Sequence, residues 1–172
     1  DAARHCDSMG QAPLHRAVAT PWPVDVLHAV LDTAPVAVSL QDRAGRLPLH
    51  IACTFGAPVS FLGSLAKIHP ESLIKKDVHQ DTPLHNLVAQ DGASLLDACR
   101  VLCSSSAAVL ALQTPDSRGD LPLHTAVRRS VGDDVCKLLL QQNLYAASLL
   151  NFEGEAPIHI AVNRCCKTIS QH

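Results

Sequence analysis

The chain has 172 residues, 47% of them apolar, and a formal net charge of −2. That length and apolar content are enough for one domain with a continuous core, while the near-neutral charge provides no general attraction to nucleic acid or to an anionic membrane. Aromatic residues make up only 3% of the chain, which also argues against a surface that stacks nucleic-acid bases.

A segment with proline second and histidine last returns five times along the chain. The copies are Ala12-Pro13-Leu14-His15, Leu47-Pro48-Leu49-His50, Thr82-Pro83-Leu84-His85, Leu121-Pro122-Leu123-His124 and Ala156-Pro157-Ile158-His159. An Asp or Asn stands eight residues before each histidine, and a glycine follows it by three residues in every copy except the third, which has Gln80. Successive prolines are 35, 35, 39 and 35 residues apart. A fixed period in this range predicts a stack of repeats, that is, a solenoid.

Each unit predicts a turn followed by two helices. The Asp or Asn side chain can bond nearby backbone N–H groups, and glycine adopts the positive φ of a tight turn. Proline suits the first position of a helix, and apolar residues such as Leu49, Ala52 and Cys53 then recur at helical spacing. After a short break we predict second helices at Val24–Leu31, Ser60–Ile68, Leu95–Cys103 and Asp134–Leu140.

The ends of the helices and of the stack raise three further points. Only Thr82 offers a capping hydroxyl before the proline, and each missing cap costs about 1 kcal/mol. After Val162 ten residues remain, too few for a second helix, so we expect either the continuing chain or another protein to cover that end. Trp22, the only tryptophan, is either an exposed anchor for a partner or, as we favour, folded back over the first repeat.

With these residues, the chain resembles the ankyrin repeat family, whose units also consist of a turn, a Pro-Leu-His-x-Ala helix, a short break and a second helix. The resemblance covers residues 7–172. It implies an all-α, helix-turn-helix solenoid of about four and a half repeats with short turn or hairpin fingers, in a single domain over residues 1–172. The repeats are expected at about 7–41, 42–76, 77–115, 116–150 and 151–172, the last one incomplete.

In that family, partner proteins bind the concave side formed by the turns and the first helices. The resemblance assigns contacts to the two residues after the turn Asp or Asn, to the residue after the glycine, and to the fourth and fifth residues after the histidine. The candidates at these positions are Arg43, Arg46, Phe55, His79, Asp81, Gln90, Arg118, Asp120, Arg128, Arg129, Phe152, Glu153 and Arg164. Phe55, Phe152 and the arginines stand out because aromatic residues and Arg are enriched at interface hot spots. The alternative for each is an exposed side chain that is merely solvated.

Ten histidines and seven cysteines invite a metal-site hypothesis. The repeat histidines are expected about one repeat apart, too far to share an ion with bonds of roughly 2 Å, and the family uses them to hydrogen-bond adjacent turns. Cys99 and Cys103 lie on one helical face without a further ligand nearby, while the pair Cys165-Cys166 could oxidise or bind metal. No phosphate loop, nucleophile elbow or zinc-protease motif occurs. We expect no metal, no cofactor and no enzymatic activity, although a Cys/His dyad that meets only in space stays open.

We therefore expect a non-catalytic scaffold that binds a partner protein through the concave face of turns and first helices. The alternative is a structural subunit of a large complex, with the open ends of the solenoid covered by partners. We expect protein partners, no nucleic acid and no membrane insertion, since no apolar run is long enough to span a bilayer. The given sequence shows no leader and its odd number of cysteines shows no framework, so we expect an intracellular, reducing compartment. The default is the cytoplasm or the nucleus, and an organelle stays open as the alternative because the sequence does not begin with Met.

Overall fold

The computed structural model describes residues 6–169, with side chains for residues 6–164. This part of the chain is all-helical, with ten α-helices, three short 3-10 helices and no strand, so the prediction of an all-α protein is confirmed. The α-helices are α1 Pro13–Val18, α2 Val24–Thr33, α3 Pro48–Thr54, α4 Val59–Ile68, α5 Pro83–Val88, α6 Leu95–Cys103, α7 Ala108–Gln113, α8 Pro122–Arg129, α9 Asp133–Gln142 and α10 Pro157–Ile169. The 3-10 helices are Pro35–Ser39, Pro70–Ile74 and Leu144–Ala147.

The repeat histidine caps the start of its own helix. In all five copies its Nδ1 accepts the backbone N–H of the residue before the proline, as in Leu47 N to His50 Nδ1 at 3.1 Å. The expectation of weakly capped helices overlooked this bond, because it looked for a hydroxyl in the residue before the proline. Thr82 itself does not cap a backbone group, since its Oγ1 bonds His85 Nδ1 at 2.8 Å.

The other ring nitrogen of the same histidine ties each repeat to the next. His15 Nε2 lies 3.0 Å from the carbonyl of Arg46, His50 Nε2 3.2 Å from that of Asp81. The later copies repeat this contact, from His85 to Asp120 at 2.9 Å and from His124 to Glu155 at 3.1 Å. Since a carbonyl can only accept, Nε2 carries the hydrogen and Nδ1 accepts. Each bridging histidine is therefore held as one neutral tautomer.

Successive repeats pack helix against helix. The first helices contact one another in the order α1, α3, α5, α8, α10, and the second helices in the order α2, α4, α6, α9. Between them lies the core, in which Leu14, Leu49, Leu84 and Leu123 are at most 3% exposed. Ile158, at the corresponding place in α10, is 60% exposed. Within residues 6–169, α10 is the last helix that the structure describes.

The third unit differs in its exit. Where the first, second and fourth units leave the second helix through a 3-10 helix, the third has the α-helix α7. Ala108, Ala111 and Leu112 on α7 are buried, while Val109 and Leu110 are more than half exposed. The predicted second helices agree with α2, α4, α6 and α9 to within two residues at each end.

Candidate protein-binding surface

The surface formed by the turns begins with a carboxylate or amide that organises each turn. Oδ1 of Asp42 accepts the N–H groups of Ala44 and Arg46, both at 2.9 Å. Asp7, Asp77, Asp116 and Asn151 make the same pair of bonds in their own turns. The turn then closes through a residue with positive φ, which is glycine in four units and Gln80 at 67° in the third.

Neighbouring turns are joined by backbone bonds. The N–H of Arg43 donates to Met9 O at 3.1 Å, that of Val78 to Ala44 O at 2.9 Å, and that of Phe152 to Arg118 O at 2.9 Å. Among the described residues, Ser117 makes no corresponding bond from the fourth turn to the third. The turn tips thus form a row with one missing link.

The structure exposes most of the predicted contact residues, though not all. Seven are exposed: Arg43, Phe55, His79, Arg118, Arg129, Phe152 and Glu153. Five are half-buried: Arg46, Asp81, Gln90, Arg128 and Arg164. Asp120, predicted as a contact residue, is fully buried, so its side chain does not lie on the surface that a partner would reach.

Asp120 belongs to an internal network. Its carboxylate accepts Nδ2 of Asn151 at 2.6 Å and Nη2 of Arg128 at 3.0 Å. Arg128 also lies 3.9 Å from Glu155. The amide and the guanidinium satisfy the buried carboxylate, and together they link the fourth turn, α8 and the fifth turn. The guanidinium of Arg128 therefore stabilises the fold, and only the exposed third of the side chain is open to a partner.

Two other predicted arginines are also engaged within the chain. Arg46 donates Nη2 to Asp42 at 2.7 Å and Nε to the same carboxylate at 2.9 Å. Burial favours the neutral form of Asp42, but the side-chain and backbone bonds from Arg46 outweigh it and lower the pKa of Asp42. Arg164 donates to the carbonyls of Val127 and Arg128.

The pKa of Asp81, a predicted contact residue, is raised. Burial is the largest influence and favours its neutral form, the attraction of His85 opposes this, and the carboxylates of Asp77 and Asp116 add to the upward shift. Its backbone carbonyl accepts the bond from His50. Asp81 is therefore bonded to α3 of the preceding unit, which makes it part of the stack as well as of its surface.

A second surface feature lies at the other end of the first helices, in the loops that lead to the second helices. Trp22 is 52% exposed and Phe55 60% exposed. Both line a cleft of about 380 Å³ whose walls include Val18, Leu27 and Pro58. The favoured interpretation has Trp22 folded back over the first repeat, but about half of the residue is exposed to solvent. The sequence analysis did not predict this cleft, and the signal that could have indicated it is the lone Trp22 between two prolines.

The cysteines of residues 6–164 form no disulfide, and most of them are buried. Burial raises the pKa of Cys53, Cys99 and Cys103, to about 12 for Cys99 and about 11 for Cys103. Such thiols carry little thiolate and react slowly. In the same part of the chain no group of three or more His, Cys, Asp or Glu side chains is placed to hold a metal ion. Cys165 and Cys166 lie outside the residues whose side chains are described.

Comparison with known proteins points to segments of larger molecules. No protein-family model matches the chain. The chain is 28% identical over 150 residues to SMC5-SMC6 complex localization factor protein 1 of Bos taurus and 27% identical over 150 residues to the protein of that name from Homo sapiens. It is 30% identical over 161 residues to transient receptor potential cation channel subfamily A member 1 of Homo sapiens.

These matches cover most of this chain but little of each relative. They take in 87%, 87% and 90% of the chain and 13% of each relative. The chain therefore spans about an eighth of the length of the curated relatives it matches. Among the helices of residues 6–169, none combines the length and the apolar character that a membrane crossing requires.

Proposed function

We propose that this chain is an ankyrin-type repeat stack that acts as a non-catalytic scaffold and binds a partner protein through the turns and first helices on its concave face. The observation that carries the proposal is the row of turn tips joined by backbone bonds, with Arg43, His79, Arg118 and Phe152 exposed along it. Exposed side chains on turns whose backbones are bonded to one another are suited to recognition.

The comparisons support the same proposal. Two of the relatives are named as localization factors of a complex, and such a role depends on binding other proteins. The bridging histidines and the Pro-Leu-His helices support ankyrin-type units, with repeats at about 7–41, 42–76, 77–115, 116–150 and 151–172 in a single domain. We propose no enzymatic activity and no nucleic-acid partner. We further propose an intracellular, reducing compartment, in which the unpaired thiols would remain reduced.

Photo-crosslinking tests the proposed surface. A photoreactive amino acid placed at Arg118 should give a discrete adduct with a protein from an extract of the source cells, because Arg118 is exposed on the row of turns. The matched control is the same substitution at Arg100, an exposed arginine on the second helix α6. Adducts from position 100 with none from position 118 would assign the interface to the second helices instead.

The alternative function is that of an assembly subunit whose open end is covered by a partner. One observation favours it: Ile158 is 60% and Val162 53% exposed, although the corresponding Leu123 is 3% exposed. Exposed apolar rows of this kind mark interaction sites. Light scattering of the purified chain tests this function. Concentration-dependent association that Ile158→Lys abolishes would support it, and a monomer at all concentrations would count against it.

A further inference from the structure

The loops between the first and second helices of the first three units form two clefts that adjoin. The cleft between Trp22 and Phe55 encloses about 380 Å³. A second cleft of about 140 Å³, lined by Leu62, Leu87 and Asp91 among others, shares Phe55, Gly56 and Ala57 with the first. We refer to the two together as the inter-loop cleft. Phe55 stands on the ridge between its two halves.

The inter-loop cleft has an uneven chemical character. Of the residues that the structure describes, those lining the larger half carry no charge, and those lining the smaller half include one carboxylate, Asp91, and no Lys, Arg or His. Among the described residues, the side chains of Gln90, Asp91 and Ser94 make no hydrogen bond or ion pair to other protein groups. Arg16 lines a different hollow, which shares Thr20 and Trp22 with the larger half of the cleft, and it is paired with Asp7 at 3.2 Å.

From these observations we propose that the inter-loop cleft binds a segment of the partner protein in which a Lys or Arg side chain lies beside a large apolar side chain. The apolar side chain enters the half between Trp22 and Phe55, and the cation lies against Asp91. An exposed aromatic face adds to the attraction, because the π-system of Phe55 favours a nearby cation. The uncompensated carboxylate disfavours an acidic segment for the same electrostatic reason. This inference rests on the protein-binding function proposed above and specifies one part of the partner.

A random-peptide selection tests the inference. A phage-displayed library of 12-residue peptides is panned against the immobilised chain, and the selected peptides are synthesised for affinity measurement. We expect them to be enriched in Lys or Arg within a few positions of a large apolar residue. We further expect Phe55→Ala and Asp91→Lys each to weaken their binding about tenfold, a loss of about 1.4 kcal/mol. Both side chains are exposed, so neither substitution should change the melting temperature.

Matched controls isolate the cleft from general effects. Tyr145→Ala removes an aromatic ring that is 79% exposed, and Asp32→Lys reverses an exposed carboxylate, both outside the cleft. Neither should change binding by more than about twofold. Selected peptides rich in Asp or Glu, or indifferent to both cleft variants, would overturn the inference, as would a library without binders. If binding instead falls with Arg43→Ala or Arg118→Ala, the proposed function stands and only the inference about the cleft fails.

Discussion

The bridging histidines show how much one side chain does in this protein. Each satisfies a backbone N–H in its own repeat and, in four of the five units, a carbonyl of the next one. Both bonds require the neutral ring with hydrogen on Nε2. Burial, the largest influence, lowers the pKa of His15, His50 and His85 below the ordinary 6.5, although for His50 the nearby carboxylates of Asp77 and Asp42 oppose the shift.

Stability should therefore fall in mild acid. The pKa of these histidines is lower in the folded chain than in the unfolded chain, so the unfolded chain binds more protons below pH 6.5. The full stability is present above that pH and is lost as the pH falls from 6.5 through the lowered pKa values of the folded state. Each histidine contributes a slope of at most roughly 1.4 kcal/mol per pH unit. Denaturant unfolding between pH 8 and pH 5 measures it. His50→Gln should flatten the slope, and a slope equal to that of the parent chain would contradict this account.

Two adjacent arginines provide a second test at the scale of the residue. Arg128 neutralises the buried Asp120, whereas Arg129 is exposed. Arg128→Ala leaves the carboxylate of Asp120 with Asn151 as its remaining side-chain partner, and we expect a loss of about 1–3 kcal/mol in the free energy of unfolding. Arg129→Ala should change it by less than about 0.5 kcal/mol. Equal effects in urea denaturation would show that Asp120 tolerates the loss of its partner.

At the scale of the element, the turns are both local structures and contacts. Gly119 has φ of 78°, and a Cβ there would lie 2.8 Å from the backbone nitrogen of Phe152 in the next turn. Gly154 has nearly the same φ of 76° but nothing within 4 Å of such a Cβ. Gly119 is therefore required both by its positive φ and by the close approach of Phe152, whereas Gly154 is required by its positive φ alone.

Alanine substitution at these two glycines separates the two requirements. Gly154→Ala should cost about 1–2 kcal/mol, the price of a left-handed conformation with a Cβ. Gly119→Ala should cost at least about 1 kcal/mol more, because the fourth and fifth turns must move apart. Thermal unfolding of both variants measures the difference. A smaller effect at Gly119 than at Gly154 would mean that the contact with Phe152 yields easily.

Much of the helical architecture follows from sequence because its signals are local. Proline marks the first residue of α1, α3, α5, α8 and α10, and the breaks before the second helices are marked by Gly or Pro. The burial of Asp120 could not be read in this way, because Asn151 is 31 residues away and meets it only after the repeats stack. Ile158 occupies a core position in the pattern, yet it is 60% exposed in the part of the chain that the structure describes.

At the scale of the whole molecule, repeats that contact only their neighbours should transmit stability along the stack through each junction. The junctions are similar in kind: the four bridging histidines make the same bond, and the first helices pack in one order. The two surfaces proposed for recognition lie at opposite ends of the first helices, the turn tips at one end and the inter-loop cleft at the other. A partner that reaches both would also restrain the stack against local opening.

The missing backbone bond at Ser117 marks a junction between repeats where we expect local opening. Amide protons engaged in bonds between turns, such as those of Arg43, Val78 and Phe152, exchange with solvent only when two repeats separate. The Ser117 amide, without such a bond within residues 6–169, should exchange at least about tenfold faster in NMR-detected deuterium exchange. Similar protection at all four amides would contradict this. Faster exchange at Ser117 would instead indicate a hinge between the third and fourth units, about which the last repeats could change their orientation relative to the first when a partner binds.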